Sequence, residues 1–189
     1  MAGKNLSIEL HADQRMLAAL SRHRCVGCGD CCRGPGHVFL YRDDIKRLAS
    51  ELHLEEKDFL ILRCVIVKWT REDSEQFRIA LTKNASEDEC VFLEGTRCGI
   101  HRFKPLQCKA GPADWQWISN PKFFWLYERR SPSFRNPEDT SCLVEADILF
   151  RATLSAEKVA AQATSLESLA TFCDVSEDVV RSLKVIQLN

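Results

Sequence analysis

Four cysteines fall within eight residues here, Cys25, Cys28, Cys31 and Cys32 in CVGCGDCC, with Gly27, Gly29, Gly34, Pro35 and Gly36 around them. So dense a run of thiols in a glycine-rich loop requires a disulfide framework, a redox thiol site or a metal. The adjacent pair Cys31-Cys32 is a poor disulfide, because bridging neighbours strains the ring it closes. The N-terminal MAGKNLSIELHADQRML has no apolar run of signal-peptide length, and the most apolar stretch, FLILRCVIVKW (Phe59 to Trp69), is short and contains Arg63. The expectation is a soluble, cytoplasmic protein whose thiols stay reduced. In that setting clustered cysteines more often bind metal than each other. A chain of 189 residues is long enough to bury a core without staples, and a net charge of -1 gives no basic field for nucleic acid or an anionic membrane. No nucleic-acid or membrane partner is expected.

The elements around the loop follow from periodicity. A first helix is expected from about Ser7 to Leu20, ending just before the cysteines. HVFLY (37–41) reads as a short strand. RDDIKRLASELH reads as a helix started by Asp43 or Asp44, with Ile45, Leu48 and Leu52 inward, and a second short helix follows near 55–62. CVIVKWT and EQFRIALT, parted by the polar REDS, predict an antiparallel hairpin in which Cys64 is a small buried hydrophobe. In CVFLEGTRCGIH a three-residue loop, Leu93-Glu94-Gly95, places Gly95 in the left-handed region and Cys90 directly opposite Cys98. Opposed residues have Cβ atoms about 5 Å apart, so both sulfurs would reach one centre. A two-residue Glu94-Gly95 turn would break that register. From about Ser141 the apolar spacing is helical, after the linker RSPSFRNPEDTS (130–141). The expected class is α+β: a cysteine-rich metal-binding domain over residues 1–130 with short antiparallel hairpins and surrounding helices, then a helical C-terminal extension over 131–189.

Seven thiols form the candidate metal site: Cys25, Cys28, Cys31, Cys32, Cys90, Cys98 and Cys108. The C-x2-C-x2-C core suits a loop wrapped around an iron-sulfur cluster, whereas C-x2-C alone suits a zinc knuckle equally well. Ligand number separates the two, since one tetrahedral zinc uses four donors and would leave three thiols over. Cys31 and Cys32 leave the backbone in different directions and are expected to differ in role. Arg24, Arg33, Arg97 and Lys109 flank the cysteines; they either favour thiolate or are ordinary surface charge. His101 could complete a mixed Cys/His zinc site but is expected to be structural or exposed, and His37 is a weaker candidate still.

These residues carry a resemblance. CVGCGDCC, then a strand and the RDDIKRLA helix, then CVFLEGTRCGIHRFKPLQC, over roughly residues 22–112, resemble the YkgJ-type C-x2-C-x2-C-C cysteine-cluster family of zinc- or iron-chelating proteins. The resemblance matches all seven cysteines to the family's positions and implies metal or iron-sulfur binding. The family carries Arg-Pro ahead of its last motif cysteine, where this chain has Lys104-Pro105, which keeps the charge without arginine's planar fork.

Two other features have simpler explanations. The aromatics of ADWQWISNPKFFWLYERR (113–130) suit packing that shields the cysteines, or else a partner surface. Residues 165–186 resemble a helix-turn-helix, but a recognition helix opening Glu177-Asp178 would repel phosphates. Cys142 and Cys173 read as structural. The sequence shows no G-x-G-x-x-G, P-loop, H-E-x-x-H or nucleophile elbow, and nothing identifies an enzyme. The leading expectation is an iron-sulfur or iron centre in electron transfer or redox chemistry, with an unspecified protein or redox partner. A zinc-stabilised interaction module and a metal-dependent enzyme are the alternatives.

Overall fold

A computed structural model of the chain describes residues 25, 27–33, 36–71, 73–84, 89–110, 152, 155–156 and 158–188. The chain divides into two compact units, Gly27–Lys109 with Ser155–Asn189, and Met1–Val26 with Ala110–Leu154. Nearly all described residues belong to the first. The expected first helix, the boundary near residue 130, the aromatic stretch and Cys142 lie outside the described residues.

The expected α+β architecture is present. Helix α1, Arg42–Glu51, buries Ile45, Leu48 and Ala49 along one stripe, and Asp44 in its first turn accepts the Tyr41 N–H at 3.2 Å. Helix α2, Glu56–Arg63, buries Phe59 and Leu60 and runs directly into strand β1, Cys64–Arg71. Strand β2, Ser74–Leu81, pairs antiparallel with β1 from Cys64↔Leu81 to Arg71↔Ser74. The hairpin is therefore the one expected, closed by the two residues 72–73, with Asp73 at φ +64°. Residues 38–40 run beside β2, where the Leu40 N–H donates to the Ile79 carbonyl and the Leu81 N–H to that of Val38, both at 2.9 Å. This is the strand expected at 37–41.

Next come β3 (Leu93–Glu94) and β4 (Arg97–Cys98), a two-stranded hairpin, and then α3, Leu106–Ala110. Near the C-terminus α4, Leu166–Cys173, starts where the Ser165 hydroxyl accepts the Ser168 N–H at 3.1 Å, and α5 spans Glu177–Arg181. The segment read as a final helix then departs from expectation. Val185–Gln187 forms β5, parallel to β1 through Ile66↔Val185, which gives the sheet order β2-β1-β5. The β-branched pair Val185-Ile186 suits a strand, and an open ladder edge of β1 overrides the weak helical period.

Alternation along β1 and β2 buries both sheet faces. Cys64, Ile66, Phe77, Ile79 and Leu81 meet the main core, which includes Leu48, Phe59, Leu169 and Cys173. Val65, Val67 and Ala80 pack with Phe39 on the other side, with Trp69 and Ile186 against them. Among the described residues no helix is long and apolar enough to cross a membrane.

Candidate metal centre

Four separate segments bring thiols together. The first is the 3-10 turn Asp30–Cys32, which carries Cys31 and Cys32. Gly29 precedes it at φ +81°, and the Cys32 N–H donates back to the Gly29 carbonyl at 3.0 Å. This turn is docked on the second segment, because the Cys90 N–H donates to the Cys32 carbonyl at 2.8 Å and Arg33 bridges backbone to backbone with Glu89. The third is β4, which ends at Cys98, and the fourth is α3, which carries Cys108.

The Cys90–Cys98 approach was anticipated, but the register that predicted it is wrong. The structure pairs Leu93↔Cys98 and Glu94↔Arg97, leaving Gly95-Thr96 as a two-residue connection with Gly95 at φ +62°. A glycine at positive φ in the first of two central residues suits a two-residue hairpin connection, the commonest kind, ahead of the expected three-residue loop. Cys98 therefore faces Leu93. Cys90 comes near by a tighter route, a turn in which the Leu93 N–H donates to the Cys90 carbonyl at 2.9 Å, while Lys83↔Cys90 bridges it to the chain after β2.

The charges that act on each thiol indicate which thiols lie near one another. A hydrogen bond with Cys31 raises the pKa of Cys32 furthest, burial adds to it, and negative charge on Cys31, Cys90 and Cys108 raises it further. Burial raises Cys90, charge on Cys98 and Cys31 adds to that, and the Phe92 backbone N–H and Lys83 work the other way. Burial also pushes Cys108 well above the ordinary thiol value, with charge on Cys90, Cys31 and Cys98 in the same direction and Lys104 opposing. Charge interactions thus link Cys31, Cys32, Cys90, Cys98 and Cys108 into one group, with Cys90 and Cys108 each acted on by several of the others. The doubled cysteines differ in exposure: Cys31 is exposed, Cys32 is half-buried, and they are hydrogen-bonded rather than bridged. Cys28 is half-buried on the same glycine loop, and Cys25 belongs to the second compact unit.

Among the described residues no three His, Cys, Asp or Glu side chains stand as a ready-made grip for a metal ion. Donor chemistry is the better guide to what the cluster fits. Among these five thiols, Cys32, Cys90 and Cys108 have their pKa raised by charge on the others, which favours a cation able to offset several thiolates, and sulfur donors suit zinc, iron and iron-sulfur clusters over magnesium or calcium. The set fits such a group.

A family model matches residues 24–142, well over half of the chain. The chain belongs to the CxxCxxCC family. That family is described as "Putative zinc- or iron-chelating domain", so the chain shares its metal-chelating character. No curated protein and no solved structure matches it. In this CxxCxxCC protein one of the flanking charges, Arg33, has assignable work. The Arg33 Nε donates to Glu89 Oε1 at 2.9 Å and its Nη2 to the Gly95 carbonyl, so it fastens the cysteine turn to the hairpin. Its charge is met by Glu89. Lys83, which sequence reasoning passed over, favours thiolate at Cys90, and neither neighbour in the chain is a cysteine that could have signalled it. His101 opens an exposed 3-10 turn, His101–Phe103. His37 is half-buried; burial and then the charge of Lys83 push its pKa down.

Proposed function

We propose that this CxxCxxCC protein holds an iron or iron-sulfur centre on its cysteine cluster and serves in electron transfer or redox chemistry. The observation that supports this is the gathering of five thiols from four segments, Cys31, Cys32, Cys90, Cys98 and Cys108. One tetrahedral zinc uses four donors and so does a single iron-sulfur cluster, whereas a cluster beside a further ion, or a pair of ions, uses more. Cys25 and Cys28 complete the proposed donor set through the C-x2-C-x2-C spacing. The bound group would supply a one-electron couple. The chain supplies soft donors and a partly buried setting that tunes such a couple, and the exposed Cys31 marks the side on which a redox partner would approach.

Anaerobic purification followed by iron, sulfide and zinc analysis tests the proposal. Brown protein with iron, with or without labile sulfide, is expected, and its colour should bleach in air. Colourless protein with stoichiometric zinc and no labile sulfide would overturn it in favour of a zinc-stabilised module, which a chelator would unfold.

A further inference from the structure

Cys108 rides on α3, whose five residues are too few to hold a helix together unaided. Its start is fixed from elsewhere. Asp44 of α1 accepts the Leu106 N–H at 2.9 Å as well as the Tyr41 N–H at 3.2 Å. Arg47, three residues along the same helix, pairs with that carboxylate and donates to the Lys104 carbonyl at 3.2 Å. One buried carboxylate thus serves the first turn of two helices at once. Asp44 is only 3% exposed, and an ionised group there is costly unless paired and hydrogen-bonded, as this one is. A second tether holds the same turn, where the Phe39 N–H donates to the Gln107 side-chain carbonyl. Local sequence gives no sign of the first link, which spans 62 residues.

We propose that Asp44 is a positioning residue for Cys108, acting through the Leu106 backbone to set where that thiol meets Cys31, Cys90 and Cys98. It rests on the reading of Cys108 as a metal donor. Arg47 belongs to the same device, since it neutralises the carboxylate and holds the Lys104 carbonyl ahead of the helix.

Co2+ is the probe, because its thiolate charge-transfer absorption grows with the number of sulfur ligands. Asp44→Ala is expected to lower Co2+ affinity about 10- to 100-fold and to reduce that absorption, as losing a group that orients a ligand does. In a Cys108→Ser background the same change should have less than about a twofold effect, because coupled residues do not add. Equal losses in both backgrounds would show a general scaffold role and overturn the proposal. Asp44→Asn keeps an acceptor for Leu106 and loses the ion pair, and so provides a milder variant should the alanine form fail to fold. In metal-free protein, Asp44→Ala should raise the alkylation rate of Cys108 at least several-fold, and Asp44→Asn, which loosens only the Arg47 side of the device, by a smaller measurable factor, while the core thiols Cys64 and Cys173 keep theirs. Faster reaction at all three, or no change at Cys108, would also overturn it. If the wild type takes up no Co2+, the metal reading fails, and the alkylation rates alone decide the role of Asp44.

Discussion

Gly29 shows how tightly one residue can be specified in a loop that looks permissive. Its φ of +81° already disfavours a side chain, and a Cβ there would lie 2.6 Å from Arg33 Nη1 and 3.3 Å from the Thr96 carbonyl oxygen. Gly27, at φ +71°, has nothing within 4 Å of where its Cβ would stand. The pair therefore separates conformational strain from steric conflict. Gly27→Ala should cost about 1 kcal/mol of unfolding free energy. Gly29→Ala should cost about 2–3 kcal/mol and lower metal content, because Arg33 would have to leave Glu89 or the hairpin carbonyl. Urea denaturation of both variants, with metal analysis, checks this; equal losses would remove Arg33 from the account. At this scale the sequence was informative about kind and silent about partner. The loop's glycines announced positive φ, and the cysteine spacing announced a thiol cluster, but nothing near Gly29 names Arg33 or Thr96 as what it must admit.

The hairpin β3–β4 carries the same lesson for elements. Its two-residue turn, Leu93↔Cys98 pairing and positive-φ glycine form a self-consistent unit, and period-two reasoning found the unit while placing Cys98 three residues away from its true partner. Short strands leave register weakly specified by pattern, because only two pairs have to agree. One contact that holds it is tertiary, since Arg33 reaches the Gly95 carbonyl, while the Gly99 N–H continues the ladder locally by donating to the Phe92 carbonyl at 2.9 Å. Arg33→Lys tests that view of the hairpin. Lysine keeps the charge but cannot serve Glu89 and the Gly95 carbonyl from one planar fork. With Arg33 and Glu89 side chains 36% and 35% exposed, the change in global stability should stay below about 1 kcal/mol. Hydrogen exchange at the Cys90 and Leu93 amides should nevertheless rise several-fold, since the turn and the hairpin lose their common fastening. Unchanged exchange at both amides would mean that the backbone bridges alone set the geometry.

Across the molecule, the thiols of the described residues fall into two populations that composition alone cannot separate. Cys64 opens β1, Cys173 closes α4, and both sit in the main core with exposures of 5% and 0%. Their structural role was legible from apolar surroundings. That they are neighbours, close enough for charge on Cys173 to raise Cys64, depends on α4 folding back under the sheet, and no local pattern encodes that return. Burial pushes the Cys173 thiol up to about 12, with Arg42 opposing and Glu56 reinforcing. The linkage sign follows from a folded pKa above the unfolded one. The stability tied to this thiol is fully present below the unfolded value of 9.0 and is lost as pH rises toward about 12, because the unfolded chain releases the proton first. Cys173→Ala should therefore cost about 1 kcal/mol near neutral pH through lost packing. Above 9.0 the wild type should give up as much as about 1.4 kcal/mol per pH unit at this one thiol, while the alanine variant is spared. The two stability curves should converge within about one pH unit above that value and then cross. Denaturant titrations across that range, with metal analysis of the same samples, read both expectations together. Cys173→Ala should keep its metal while Cys108→Ala loses it, and a stability gap that stays constant with pH would show that Cys173 does not hold its proton in the folded core.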